Sequence, residues 1–169
     1  MAGFVPICGP FVADKVLVDG VLVARDVAVT LPEITAATYE IQAMGPMTMP
    51  DWSRLEHMET AITKIGVDKG LASMAKPGAR ELEFRGVQTV TEANGVNKKV
   101  GVKAFITGHS NKIPGIGVAI GDPSENELTY GTTRYQLFVG GEEMWCIDRL
   151  TNVCRIDGVD YANEVESLL

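Results

Sequence analysis

Apolar and polar side chains alternate with a period of two along most of this chain, the spacing that places every second side chain on one face of a strand. The clearest instance is Ile34–Ala43, where Ala37, Tyr39, Ile41 and Ala43 form an apolar phase and Thr38, Glu40 and Gln42 a polar one. Glu56–Ile65 is a second strand-like run. Between the two lies an apolar loop, Met44–Trp52, in which Gly45, Pro46 and Pro50 stop either strand from continuing. The pattern predicts a two-stranded arm over residues 34–65 with Met44, Met47, Met49 and Trp52 near its tip. An isolated hairpin is marginal in water, and such a tip calls for a second subunit to cover it.

The remaining elements follow from turn chemistry. Asp19-Gly20 tolerates positive φ and joins Lys15–Val18 to Val21–Ala24 in a hairpin, and Asp26–Leu31 continues extended to Pro32. Val67–Lys76 is the one internal helix: Asp68 caps it, Leu71, Met74 and Ala75 make its apolar stripe, and Pro77-Gly78 ends it. Gly70 weakens it, which limits it to two or three turns. A second long hairpin runs from Arg80 through Asn94-Gly95 to Thr107. Asn111–Gly121 is a glycine-rich passage, followed by a polar loop at Asp122–Asn126. Leu128–Val139 and Glu142–Asp148 pair around Gly140-Gly141, and Asn152–Ile156 pairs with Val159–Tyr161 around Asp157-Gly158. The tail 162–169 holds one or two helical turns with Val165, Leu168 and Leu169 on one side. The count of hairpins predicts a mainly β fold, an antiparallel sandwich or barrel with one short flanking helix.

Composition narrows the picture. The 169 residues suffice for one domain with a real core, and with neither a fixed-period repeat nor a low-complexity linker, 1–169 reads as a single domain. A formal charge of −7 argues against a surface that grips nucleic acid by neutralising phosphates, though not against one past which nucleic acid slides. Cys8, Cys146 and Cys154 are odd in number and lack metal spacing, which fits free thiols in a reducing cytoplasm. The apolar N-terminus, 1–13, has no Lys or Arg before Lys15 and is broken by Pro6 and Pro10, so it reads as an extended strap rather than a targeting signal. No run approaches the roughly 18 apolar residues of a membrane span.

Candidate chemistry is sparse. His57 and His109 show no spacing that would bring two metal ligands onto one face, and no local signature joins either of them to Cys146 or Cys154. Gly115, Gly117 and Gly121 have the wrong spacing for a dinucleotide loop and lack its strand and helix. Glu40, Glu56 and Glu59 can face one another across the arm, an arrangement read as a solvated polar face ahead of an acid–base pair. The expectation is no catalytic residue, no metal and no cofactor.

The order of five segments carries a resemblance: Val18–Gly20 (VDG), Val29–Thr35 (VTLPEIT), Ala43–Asp51 (AMGPMTMPD), Tyr135–Asp148 (YQLFVGGEEMWCID) and Arg155–Asp160 (RIDGVD). Together the chain resembles the major tail tube proteins of contractile-tailed bacteriophages and the related phage-tail-like bacteriocins. The resemblance implies a structural subunit that forms hexameric rings and stacks them into a hollow tube, a conduit for DNA passage or envelope puncture. It assigns two long hairpins, Thr35–Lys64 and Arg80–Thr107, to a β-barrel shared between subunits around the lumen, with Glu40, Gln42 and Glu59 as lumen-facing positions. Met44, Gly45, Pro46, Met47, Met49 and Trp52 become subunit-interface residues, and the strap 1–13 and tail 162–169 add ring-to-ring contacts. The partners implied are other copies of the chain, tail sheath protein, baseplate or initiator proteins, a tape-measure protein and, in a phage, transient DNA. The place implied is a virion tail or phage-tail-like particle assembled in the host bacterial cytoplasm, with no membrane anchor. Two other readings stay open: the tube-forming ring protein of a contractile secretion system, and a monomeric β-barrel ligand carrier.

Overall fold

The computed structural model describes residues 3–25 and 27–169. In chain order the elements are β1 (Ile7–Val18), β2 (Val21–Arg25), β3 (Ala28–Thr30), β4 (Ala36–Gln42), β5 (Pro46–Leu55), β6 (Met58–Ile65), α1 (Lys69–Ala75), β7 (Ala79–Thr91) and β8 (Asn97–Ser110). There follow β9 (Glu125–Val139), β10 (Glu142–Asp148), β11 (Val153–Ile156), β12 (Val159–Asp160) and α2 (Asn163–Glu166). The fold is mainly β and antiparallel throughout, as the alternation predicts. One large sheet runs β12-β11-β10-β9-β8-β7-β1-β2.

The long strand β9 organises this sheet because its free edge changes partner part-way. Up to Thr132 it pairs with β6, which in turn carries β3; from Arg134 it pairs with β10. The fork folds the sheet over its own apolar face. Val16, Leu82, Ala104, Ile106, Leu128 and Tyr130 meet there with Leu71 and Met74 of α1. Asp68 caps α1 as expected: one carboxylate oxygen accepts from the Leu71 N–H at 3.0 Å, the other from Lys64 Nζ at 2.9 Å. The hairpins at Asp19-Gly20, Gly140-Gly141 and Asp157-Gly158 form as predicted, with positive φ at both central residues of each. Asp26, expected to be extended, lies outside the described residues, and β3 covers half of the run Asp26–Leu31. Among the described residues no helix is long and apolar enough to cross a membrane, which says nothing of crossing by β-strands.

Three expectations are corrected. The arm does not pair Ile34–Ala43 with Glu56–Ile65: β4 pairs with β5, made of the residues read as a loop, and β6 lies inside the main sheet. The reason is burial. Met58, Thr60, Ile62 and Lys64 of β6 all face inward, and the Thr60 and Thr132 hydroxyls bond at 2.7 Å, so β6 is a core strand. Pro46 and Pro50 are compatible with β5 because they share one strand phase, where the missing N–H points to the free edge and no ladder bond is lost. Of the strap expected at 1–13, residues 3–6 form neither helix nor strand, and from Ile7 the chain is strand β1 paired along β7. The strand expected from Leu128 begins at Glu125.

Candidate assembly interface

The ribbon β4–β5 stands apart from the large sheet as a two-stranded sheet of its own. Its strands are joined at Ala43, Met44 and Gly45, where Met44 takes φ 58° and Gly45 φ 126°, and Met44 is fully exposed. Register puts Ile41 opposite Met47 and Tyr39 opposite Met49, so these four side chains share a face. Thr38, Glu40 and Gln42 share the other with Pro50, Thr48 and Pro46. The predicted phase of β4 therefore holds. Its apolar face is only half covered, Tyr39 being 51% and Met47 43% exposed.

At the root of the ribbon the register jumps, with Ala36 opposite Leu55 but Ala37 opposite Asp51. Trp52, Ser53 and Arg54 bulge out between them. The Ser53 hydroxyl and N–H both donate to Asp51, and this holds its carboxyl below the usual carboxylate range. Trp52 stays 39% exposed beside a concavity of about 260 Å³ shared with Asp148, Arg149 and Cys154. The ribbon thus gathers Met44, Gly45, Pro46, Met47, Met49 and Trp52 on one projecting element. Glu40 and Gln42 are exposed on its polar face. Glu59 is exposed too, but on β6 opposite Gly131, so it does not face Glu40 across a hairpin as the sequence suggested.

The family model described as phage tail tube protein FII matches residues 13–169. The chain belongs to that family. It is a structural subunit of a tail tube. No curated relative matches it. Among solved structures it is similar to a chain of an extracellular contractile injection system, in the cryo-EM structure of the PVC sheath–tube complex in the extended state. Identity is 12% over 74% of this chain and 87% of that one, with a TM-score of 0.49.

The histidines and cysteines of the tube subunit lie on separate parts of the fold. His109 sits on β8 opposite Gly131, and His57 lies between β5 and β6, whereas Cys146 and Cys154 are buried in β10 and β11. Burial, and then Asp160, raise the Cys154 thiol above its ordinary range. Among the described residues no three His, Cys, Asp or Glu side chains come together to hold a metal. Gly115 and Gly117 lie in a passage without helix or strand.

Sequence reasoning missed the open face of the large sheet. One residue along from the inward row Ala24, Val16, Phe84, Ala104, Leu137 runs an outward row Arg25, Lys15, Arg85, Lys103, Phe138. Beside it Glu143 takes two bonds from Arg155, at 2.6 and 3.2 Å, and one from Gln136 at 2.7 Å. Arg155 above all holds the Glu143 carboxyl below the usual range. These residues lie far apart in the chain, so no local pattern marks them as neighbours.

Proposed function

We propose that the subunit assembles into hexameric rings that stack as the inner tube of a contractile phage tail or phage-tail-like particle. The observation that carries this reading is the β4–β5 ribbon: an apolar, half-covered face on a two-stranded sheet with unpaired long edges. A ribbon of this kind is marginal alone and invites pairing with another chain. Its two edges differ. β5 lacks an N–H donor at Pro46 and Pro50, whereas β4 carries no proline, so β4 is the edge that accepts a neighbouring strand. In the tube, Met44, Gly45, Pro46, Met47, Met49 and Trp52 are buried against an adjacent subunit or ring, and Glu40, Gln42 and Glu59 face the lumen. A carboxylate-lined lumen repels phosphate and lets DNA pass without sticking.

Within this reading 1–169 is one domain with a mechanical and not an enzymatic role, and no cofactor. Its exterior meets sheath protein, its ends meet baseplate or initiator and tape-measure proteins, and it assembles in the host cytoplasm. Negative-stain electron microscopy of the purified protein, with its solution mass, tests the proposal. Rings or hollow tubes are expected. A monomer that forms no polymer at high concentration, even on an added initiator template, overturns it in favour of the carrier reading.

A further inference from the structure

The free edge of β4 accepts a strand, and the large sheet has none to lend. In the ribbon, Thr38, Glu40 and Gln42 stand opposite Pro50, Thr48 and Pro46. Antiparallel pairs alternate between bonded and non-bonded, and the prolines mark these pairs as the non-bonded ones. The backbone N–H and C=O groups of Thr38, Glu40 and Gln42 therefore point away from β5, along an open edge. β7 has β1 and β8 on its two sides, and β8 has β9 beside it from Val102 on. The other long edges are interrupted or covered. β1 over Ile7–Asp14 contains Pro10 and breaks register with β7 between Cys8 and Phe11 and again before Ala13. β2 has α1 against it, since a methyl group at Gly70 would meet the Val23 carbonyl oxygen at 2.4 Å.

One segment outside the sheets has the pattern of a strand. In Gly115-Ile116-Gly117-Val118-Ala119-Ile120-Gly121, β-branched residues alternate strictly with glycine or alanine. Residues 111–124 form neither helix nor strand, and Ile116, Val118 and Ile120 are 47%, 91% and 105% exposed. Of Gly115, Gly117 and Gly121 only the last takes a positive φ, 92°, so the backbone before it stays in the range open to every residue. Among the described residues this backbone accepts one backbone hydrogen bond, from the Asp122 N–H to the Ala119 carbonyl at 3.4 Å. The segment is held at both ends: Pro114 is buried, and the Gly66 N–H donates to the Ser124 carbonyl at 2.8 Å. Glycine inside a strand pattern marks a place where another backbone comes close.

We propose that residues 115–121 of one copy add as a third strand to the free edge of β4 in a second copy. The segment and β4 are each seven residues long, and their apolar phases match: Ile116, Val118 and Ile120 lie beside Ala37, Tyr39 and Ile41. Val118 and Tyr39 are the central residues of the two, so they meet whether the strands run parallel or antiparallel. The other phase of the added strand is Gly115, Gly117, Ala119 and Gly121, which sets no side chain larger than a methyl group beside Glu40 and Gln42. That face stays open, as a lumen-facing role demands. The inference rests on the self-assembling reading above and adds which segment fills the edge. The two surfaces differ, so the contact is head-to-tail and either closes into a ring or continues as a filament.

Paired cysteines test the contact, in a Cys8→Ser background that removes the exposed native thiol. Opposed residues on adjacent strands bring their Cα atoms to about 4.5–5.5 Å, within disulfide range. Under mild oxidation, Val118→Cys with Tyr39→Cys should give a ladder of covalent oligomers on a non-reducing gel. The yield should be at least tenfold that of Val118→Cys with Glu40→Cys, whose side chains lie on opposite faces. A glycine-rich strand slips in register by two residues with ease, so Ala37→Cys and Ile41→Cys are read beside Tyr39→Cys. Val118→Ser with Ile120→Ser, at two almost fully exposed positions, should raise the concentration needed for assembly at least tenfold with the melting temperature unchanged. Tubes in electron micrographs with no ladder from any same-face pair, or with the Glu40 pair equal to them, overturn this contact and leave the tube reading intact. Serine variants that assemble like the wild type do the same. Cross-linked protein that runs only as a compact monomer puts the segment on its own copy's ribbon and also overturns the proposal. A wild type that forms no polymer even on an added initiator template overturns both readings.

Discussion

A methyl group added at Gly70 would stand 2.4 Å from the carbonyl oxygen of Val23 and 3.1 Å from Asp68 Oδ1. Alanine in place of glycine inside a helix normally gains about 1 kcal/mol, whereas forcing extra volume against packed backbone costs about 1–3 kcal/mol. The nearer contact is backbone and cannot swing away, so the second effect wins. Gly70→Ala is expected to lower stability, read as a lower urea midpoint at unchanged slope. The sequence shows this glycine only as a weak point in a helix; that it lets α1 lie against β2 depends on a contact between elements. Tyr130 raises a parallel case. Its buried hydroxyl donates to the Met74 carbonyl at 2.6 Å, one of the end carbonyls that α1 cannot satisfy internally. Tyr130→Phe strands that acceptor and should cost about 1–2 kcal/mol in the same titration.

The ribbon β4–β5 and the core strand β6 show what an element's sequence can and cannot reveal. Asp19-Gly20, Gly140-Gly141 and Asp157-Gly158 announce their hairpins because a turn needing positive φ is written in two adjacent residues. The phase of β4 is legible for the same local reason. Its partner is not, because Pro46 and Pro50 look like strand breakers until the free edge of the ribbon is known. Thr60 and Lys64 likewise look solvent-facing until Thr132 and Asp68 supply their partners. Met44, Gly45, Pro46, Met47, Met49 and Trp52 do lie together on one projecting element, which their apolar character suggests, but their strand pairing is not legible in the sequence. Tyr39→Ser with Met47→Ser should separate assembly from folding. Both side chains are half exposed on a sheet outside the main core, so subunit stability should stay within about 0.5 kcal/mol. Thermal melting should be unchanged while tubes disappear from micrographs.

For the molecule as a whole, the stability of the folded subunit should answer to acid. Asp51, Asp68 and Glu143 all have carboxyls held below their ordinary range, chiefly by Ser53, Lys64 and Arg155 respectively. A carboxyl depressed in the folded state contributes stability above its unfolded value, near 4, and loses it as pH falls through the folded value. Stability should be flat from neutral to about pH 5 and decline below about pH 4, with Glu143→Gln making that decline shallower. Circular dichroism melts across the pH series read both the onset and its slope, and a Glu143→Gln protein that declines as steeply as the wild type would take the Arg155–Glu143 pair out of the account.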